Sequence, residues 1–216
     1  MKHNIYLVGM GPGKEEMMTG EALKALEAAD VIIGYTVYIK LLGERFADKE
    51  MRTTPMRQEE ERCKLCFEEA KKGKQVAMVC SGDAGIYGMA SLLYEMGKEY
   101  PDTEIFVIPG ITAACSGAAV LGAPLNHDFC VISLSDLLTP WEKIEKRLLA
   151  AAGGDFAIAI YNPSSHKRKD YLKKACDILL RVIEEERPCG YVENIGREGK
   201  LVTKRGYHIE RNTDIK

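Results

Sequence analysis

Long apolar runs, a large net charge and paired metal-ligand motifs are all missing from this 216-residue chain. Its apolar residues come in stretches of about 4–8, far short of the roughly 20 that a membrane span requires. Lysine and arginine number 30 against 32 aspartates and glutamates, which excludes a basic nucleic-acid footprint and an acidic membrane tail. No secretory pattern precedes the strand-like start Met1-Lys-His-Asn-Ile-Tyr-Leu-Val8, so a cytoplasmic protein is expected. Seven cysteines form an odd set. Five of them, at 80, 115, 130, 176 and 189, stand singly in apolar or mixed segments, where a reduced, packed thiol is the default. Cys63-Lys-Leu-Cys66 is the one close pair, and no second such pair completes a four-cysteine site. No metal site is expected. Internal repeats and low-complexity stretches are absent as well.

What the chain does have is a strand and helix rhythm with glycine at the strand exits. Gln75-Val-Ala-Met-Val-Cys80 reads as a buried parallel strand. It runs directly into Ser81-Gly-Asp-Ala-Gly-Ile-Tyr-Gly88, and such a junction is where open α/β sheets hold ligands. Gly82, Gly85 and Gly88 let backbone approach a small molecule, and Asp83 places a carboxylate among them. Strands are also expected at 5–9, 31–34, 104–108, 129–134, 156–161 and 189–194. Helices are expected at 20–29 with Thr19 as cap, 38–42, 58–72, 89–99, 141–152 and 168–185. The small-residue run from Pro109 to Gly122 reads as another strand exit leading into a closely packed helix. The pattern restarts near residue 120. The fold class is therefore α/β, built as two consecutive αβα modules with mostly parallel sheets, 1–120 and 121–216.

Each motif has a plainer reading beside the functional one. Gly9-Met-Gly-Pro-Gly13 follows the first strand, but its spacing is not that of a dinucleotide fingerprint, Pro12 removes a backbone donor, and the second strand ends without an acidic residue. It is not a phosphate-binding P-loop either, since Glu15 follows Gly13-Lys14. Alone it is a tight turn. Asp83 is either a ligand contact or a helix N-cap, and Tyr161-Asn-Pro-Ser-Ser165 is either a site or a turn. Cys63 and Cys66 share one face of a helix, as packing residues or as a redox or cluster pair. Four strand exits bearing small or turn-forming residues point to one cleft.

Taken together, Val8-Gly-Met-Gly-Pro-Gly13, Ser81–Gly88 and Pro109-Gly-Ile-Thr-Ala113 resemble the tetrapyrrole methylases, which use S-adenosyl-L-methionine. Within that family, Ala29-Asp-Val-Ile-Ile-Gly-Tyr35, the string from His127 through Ser133-Leu-Ser-Asp-Leu-Leu-Thr-Pro-Trp141, and Ile160-Tyr-Asn-Pro163 resemble the group that methylates C17 of precorrin-3B or cobalt-factor III, with ring contraction. The resemblance runs from residue 4 to about Gly199. It implies a cofactor cleft between the two modules, lined by Pro12, Gly82, Asp83, Ile86, Tyr87, Thr112, Ala113, Tyr161 and Asn162. It also implies a carboxylate-rich tetrapyrrole substrate and a homodimer. Asp136, Ser135 and His127 become candidates for proton movement because they lie in the group-specific string, with an N-cap as the alternative for Asp136. Arg57, Arg62, Lys167 and Arg168 are candidates to grip the substrate's rim, with solvated surface charge as their plainer reading. One departure stands out: Gly196-Arg-Glu-Gly199 runs almost directly into Val202-Thr-Lys-Arg-Gly-Tyr207, where the family carries a few tens more residues. Either the second module is trimmed after Gly199 or part of the chain is absent. Other readings are a related enzyme acting on uroporphyrinogen or by diphthine-type methylation, a Cys63/Cys66 redox or cluster module, and a nucleotide-binding module without catalysis.

Overall fold

The computed structural model describes residues 3–165 and 168–197, and the backbone of 202–206. The short stretch between Gly199 and Val202 lies outside the described residues, as does Lys167. The chain divides into two compact units. The first takes residues up to Ser116 together with the segment from Asn194, and the second takes Gly117–Glu193 together with the last strand.

In chain order the first unit contains β1 (His3–Gly9), α1 (Gly20–Ala28), β2 (Val31–Tyr35), α2 (Thr36–Lys40), β3 (Glu50–Thr54), α3 (Glu59–Lys71), β4 (Val76–Cys80), α4 (Ala90–Gly97) and β5 (Thr103–Ile108). Its five strands lie in the order β3-β2-β4-β1-β5, all parallel. Both faces of this sheet are covered, which explains why β4 reads as unbroken apolar sequence. Alternate residues serve opposite cores. Val76, Met78 and Cys80 pack with Ile5, Leu7 and Ile33 under Phe67 of α3 and Leu93 of α4. Ala77 and Val79 pack with Val8 and Ile32 under Ala22 and Leu26 of α1. The period of two along each strand produces that division. Thr19 caps α1 as expected, its hydroxyl accepting from the Ala22 amide at 3.1 Å.

β3 had no signal in the sequence. β3 is an edge strand with exposed charged residues, and Glu50 and Arg52 pair along it at 2.7 Å. Edge strands carry such charges to deter pairing with other chains, which erases the alternation that would reveal them.

The second unit takes over within α5 (Ala113–Val120) and continues through β6 (Phe129–Ser133), α6 (Trp141–Gly153), β7 (Ala157–Tyr161), α7 (Tyr171–Leu179), β8 (Cys189–Glu193) and β9 (Val202–Gly206). β6 and β7 are parallel, whereas β8 and β9 form an antiparallel pair. In α6 the buried residues Ile144, Leu148, Ala151 and Ala152 fall on one stripe and meet Ala175, Ile178 and Leu179 of α7. The helix expected at 168–185 is only nine residues long. Beyond Leu179 the acidic run Glu184-Glu-Glu186 is exposed and would oppose the dipole at a helix carboxyl end.

Glu69 on α3 is 1% exposed. Lys72 and Lys74 hold its carboxylate at 2.6 and 2.7 Å, and Lys74 also reaches Glu50 at 2.6 Å. These hydrogen-bonded ammonium groups pull the Glu69 carboxyl down to about 2. A depressed carboxyl stabilises the fold fully above its unfolded value and loses that contribution as pH falls toward the folded one. Glu69→Gln should therefore lower the melting temperature at pH 7 and flatten its fall between pH 5 and pH 3. Parallel melting curves for the two proteins across that range would contradict the assignment.

Candidate active site

β1 and β4 are neighbours in the sheet, yet the chain leaving β1 goes to α1 on one face and the chain leaving β4 goes to α4 on the other. That divergence opens the carboxyl edge of a parallel sheet and is where such folds bind ligands. Here the β1, β4 and β5 exits are locked together backbone to backbone. Gly11 and Gly82 form an antiparallel bridge, with amide-to-carbonyl distances of 3.1 and 2.7 Å. A Cβ on Gly110 would lie 2.2 Å from the Gly82 carbonyl oxygen and 2.5 Å from that of Gly9, and one on Gly9 would lie 2.7 Å from the Gly110 nitrogen. Only glycine permits this approach.

Asp83 closes the lock. Its Oδ1 accepts from the Gly85 amide at 2.8 Å and its Oδ2 from the Gly110 amide at 3.0 Å. It does not cap α4, whose N-cap position is Met89. A fourth segment joins within the same unit: Arg197 donates to the Ser81 hydroxyl at 2.9 Å, and a Cβ on Gly13 would meet the Gly196 carbonyl oxygen at 2.5 Å. Around this lock Pro12 and Thr112 are buried, Ile86 is half-buried, and Gly85, Tyr87 and Ala113 are exposed. Tyr87 holds a positive φ of 53°, a strained conformation for an aromatic residue. Gly82, at φ 68°, meets nothing closer than 3.7 Å where a Cβ would stand. The edge thus offers backbone amides, carbonyls and small side chains to a ligand.

Arg62 does not reach this surface. It is 4% exposed, donating to the Thr54 hydroxyl at 2.9 Å and the Pro55 carbonyl at 3.2 Å. Cys63 and Cys66 are wholly buried in the core beside Phe67. Burial pushes the Cys63 thiol up to about 12 and that of Cys66 well above the ordinary range, so neither supplies the thiolate that redox exchange or a cluster needs. Among the described residues no group of His, Cys, Asp and Glu is placed to hold a metal ion. Cys115 and Cys189 are exposed, against the expectation of packed thiols.

The second unit has its own polar cluster where β6 and β7 end. Tyr161 pairs with Ser133 in register, and its carbonyl accepts from the Leu134 amide at 2.9 Å. Asn162, at φ 52°, donates from Nδ2 to the Ser133 hydroxyl at 2.9 Å, and the Ser135 amide donates to the same oxygen at 3.1 Å. Arg168 donates to Ser135 at 2.8 Å, to Ser165 at 3.0 Å and to Asp136 at 3.3 Å. Tyr171 donates to the other Asp136 oxygen at 2.6 Å. The Tyr171 hydrogen bond, helped by Arg168, holds the Asp136 carboxyl below its ordinary value and keeps it ionised. Asp136 caps no helix, since Pro140 occupies the N-cap position of α6. Ser135 and Asp136 thus come together. His127 does not join them: it precedes the first residue of β6 while they follow the last, a separation of about 17 Å at roughly 3.3 Å per residue. Sequence reasoning missed Tyr171 and Ser133, because no local pattern announces a partner some 30 residues away.

Comparison with known proteins adds four findings. Residues 4–206 match the family described as Tetrapyrrole (Corrin/Porphyrin) Methylases. A protein named probable cobalt-factor III C(17)-methyltransferase from Salmonella typhimurium is 48% identical over 203 residues, 93% of this chain and 84% of its own length. A precorrin-3B C(17)-methyltransferase from a Sinorhizobium species is 39% identical over 206 residues, 94% of this chain and 81% of its own. The crystal structure of the methyltransferase CobJ superposes with a TM-score of 0.86 at 39% identity, covering 94% of this chain and 86% of that one.

The backbone lock makes a direct prediction. Gly110→Ala should cost about 1–3 kcal/mol, the range for overpacking a closed site. Gly20→Ala, where nothing lies within 4 Å of the new methyl group, should be neutral or slightly stabilising. Chemical denaturation of the two variants measures the contrast, and equal stabilities would show that the loops part easily.

Proposed function

The chain belongs to the tetrapyrrole methylases, and on that premise we propose that it is an S-adenosylmethionine-dependent C-methyltransferase of cobalamin biosynthesis, acting on precorrin-3B or cobalt-factor III with ring contraction. The observation that supports this reading most is the glycine lock joining the β1, β4 and β5 exits, since it builds a ligand edge from backbone alone. The residues present suit the cofactor. Gly82 turns at φ 68°, a conformation that favours glycine, and the neighbouring amides and carbonyls match a ligand rich in donors and acceptors. Pro12, Gly82, Asp83, Ile86, Tyr87, Thr112 and Ala113 are the residues of the first unit that we assign to it.

When bound, S-adenosylmethionine supplies an electrophilic methyl group on a cationic sulfonium. That positive charge fades in the transition state, so an anionic group pressed against it would favour the ground state. The chain's uncharged glycine backbone avoids that penalty, and Asp83 spends a lone pair of each oxygen on the Gly85 and Gly110 amides. Alignment is the main contribution left to the protein, with reacting atoms held roughly 3–3.5 Å apart. The ionised Asp136, with Ser135 beside it, is the group we assign to accepting a proton from the macrocycle. The acceptor's carboxylate rim calls for cations, and Arg57 stands at the surface to meet it. We further read the active form as a homodimer in the cytoplasm. The seven cysteines form no disulfide among the described residues, as in a reducing compartment, and no helix among the described residues is long and apolar enough to cross a membrane.

Incubation with labelled S-adenosylmethionine and each macrocycle, followed by mass analysis, tests the reading. Label should enter precorrin-3B or cobalt-factor III. Transfer to uroporphyrinogen alone would move the chain to another branch of the family. Asp83→Ala should weaken S-adenosylhomocysteine binding about tenfold in calorimetry, the equivalent of one charge-assisted hydrogen bond. His127→Ala should leave turnover within about twofold. A large loss there would return the proton-handling role to the other end of β6.

A further inference from the structure

Leu137 and Leu138 are the most exposed large apolar side chains among the described residues, at 79% and 97%. They are not on a slack segment. The loop 134–140 that carries them is tied at its base by the Leu134 amide to the Tyr161 carbonyl, by Ser135 to Ser133 and Arg168, and by Asp136 to both Tyr171 and Arg168. Leu134 itself is fully buried in the core of the second unit. The fold therefore holds two leucines out in water by constraint, at the carboxyl ends of a parallel strand pair, the end at which α/β sheets receive ligands.

We propose that the loop 134–140 is a platform for one face of the acceptor macrocycle, with Leu137 and Leu138 as its apolar contacts and Tyr171 and Arg168 as the positioning residues that hold it in place. This rests on the methyltransferase reading above. The alternative occupant, a second copy of the chain, fits less well. Two leucines fall far short of the roughly 800 Å² per partner of a standard interface. The exposed Phe129 and Phe156 do not enlarge it, because they stand where β6 and β7 begin, at the opposite end of the strands. Beside the leucines stand the polar Ser135, Asp136 and Thr139, the exposed Pro140, the half-buried Trp141 and Arg168, whose side chain is 15% exposed. A small apolar surface with hydrogen-bonding groups beside it, Arg168 being paired with Asp136 at 3.3 Å, matches a flat conjugated ring with a polar rim.

Trp141 is the chain's single tryptophan, and its ring lies 4.6 Å from that of Tyr171. Its emission therefore reports on this loop, and an absorbing macrocycle on the platform should quench it. The double variant Leu137→Ser, Leu138→Ser alters only exposed side chains, so its melting temperature should match the wild type. Its KM for the macrocycle should rise roughly tenfold per leucine, about a hundredfold in all, and the quenching curve should move with it. Affinity for S-adenosylhomocysteine should not change, and kcat should stay within about threefold. Tyr171→Phe, which removes one tie of the loop but keeps the leucines, should raise KM about fivefold. Transfer by the wild type with an unaltered KM and quench in the double variant overturns the platform alone. So does a double variant whose only change is dissociation to a smaller species in sedimentation, since the leucines are then a subunit contact. Neither transfer nor quenching in the wild type with any corrin precursor overturns the methyltransferase reading, and the platform with it.

Discussion

The Asp83 carboxylate accepting the Gly110 amide, over glycines too close to carry side chains, is the contact on which the first unit's ligand edge depends. Sheet packing alone places β1, β4 and β5 side by side, but it leaves the direction of each exit loop open. The bridge between Gly11 and Gly82 and the two Asp83 bonds remove that freedom. The charge is thereby used twice over, pairing with the exposed Gly85 amide and the half-buried Gly110 amide and joining loops from different crossovers. A backbone surface fixed in advance suits chemistry in which the protein's largest contribution is alignment.

The second unit solves a related problem with side chains instead. Its sheet pair is small, and the loop after β6 has no glycine lock to define it. Ser133, Asn162, Arg168 and Tyr171 hold the loop through hydrogen bonds to Ser135 and Asp136. The same bonds keep Asp136 ionised. One cluster thus sets both the position of a loop and the protonation of the carboxylate on it. Core helices α6 and α7 supply the rigidity, because Tyr171 opens α7 and Trp141 opens α6, and their rings meet.

Much of the fold was legible before any coordinates. The uninterrupted apolar run at 76–80 announced a strand covered on both faces, and Thr19 announced the start of a helix. The glycine strings marked the strand exits, because close approach and positive φ leave few other residues possible. The elements that escaped were those whose signal is weak for a physical reason. β3 is a charged edge strand, and β9 begins in a basic segment with no alternation. The helix α7 was overestimated because the acidic residues after Leu179 have good helical propensity but no buried face and the wrong sign for a carboxyl terminus.

By itself the sequence determined which strands are buried, where chain reversals fall and which residues sit at them, since these follow from local spacing and the steric needs of glycine. Only the tertiary structure decided what those residues touch. It made Asp83 and Asp136 ties between loops rather than caps, enclosed Arg62, Cys63 and Cys66, and separated His127 from Ser135 by the length of a strand. The reason is that hydrogen-bond partners and burial depend on segments distant along the chain, such as 83 with 110 and 136 with 171, and no local pattern encodes them.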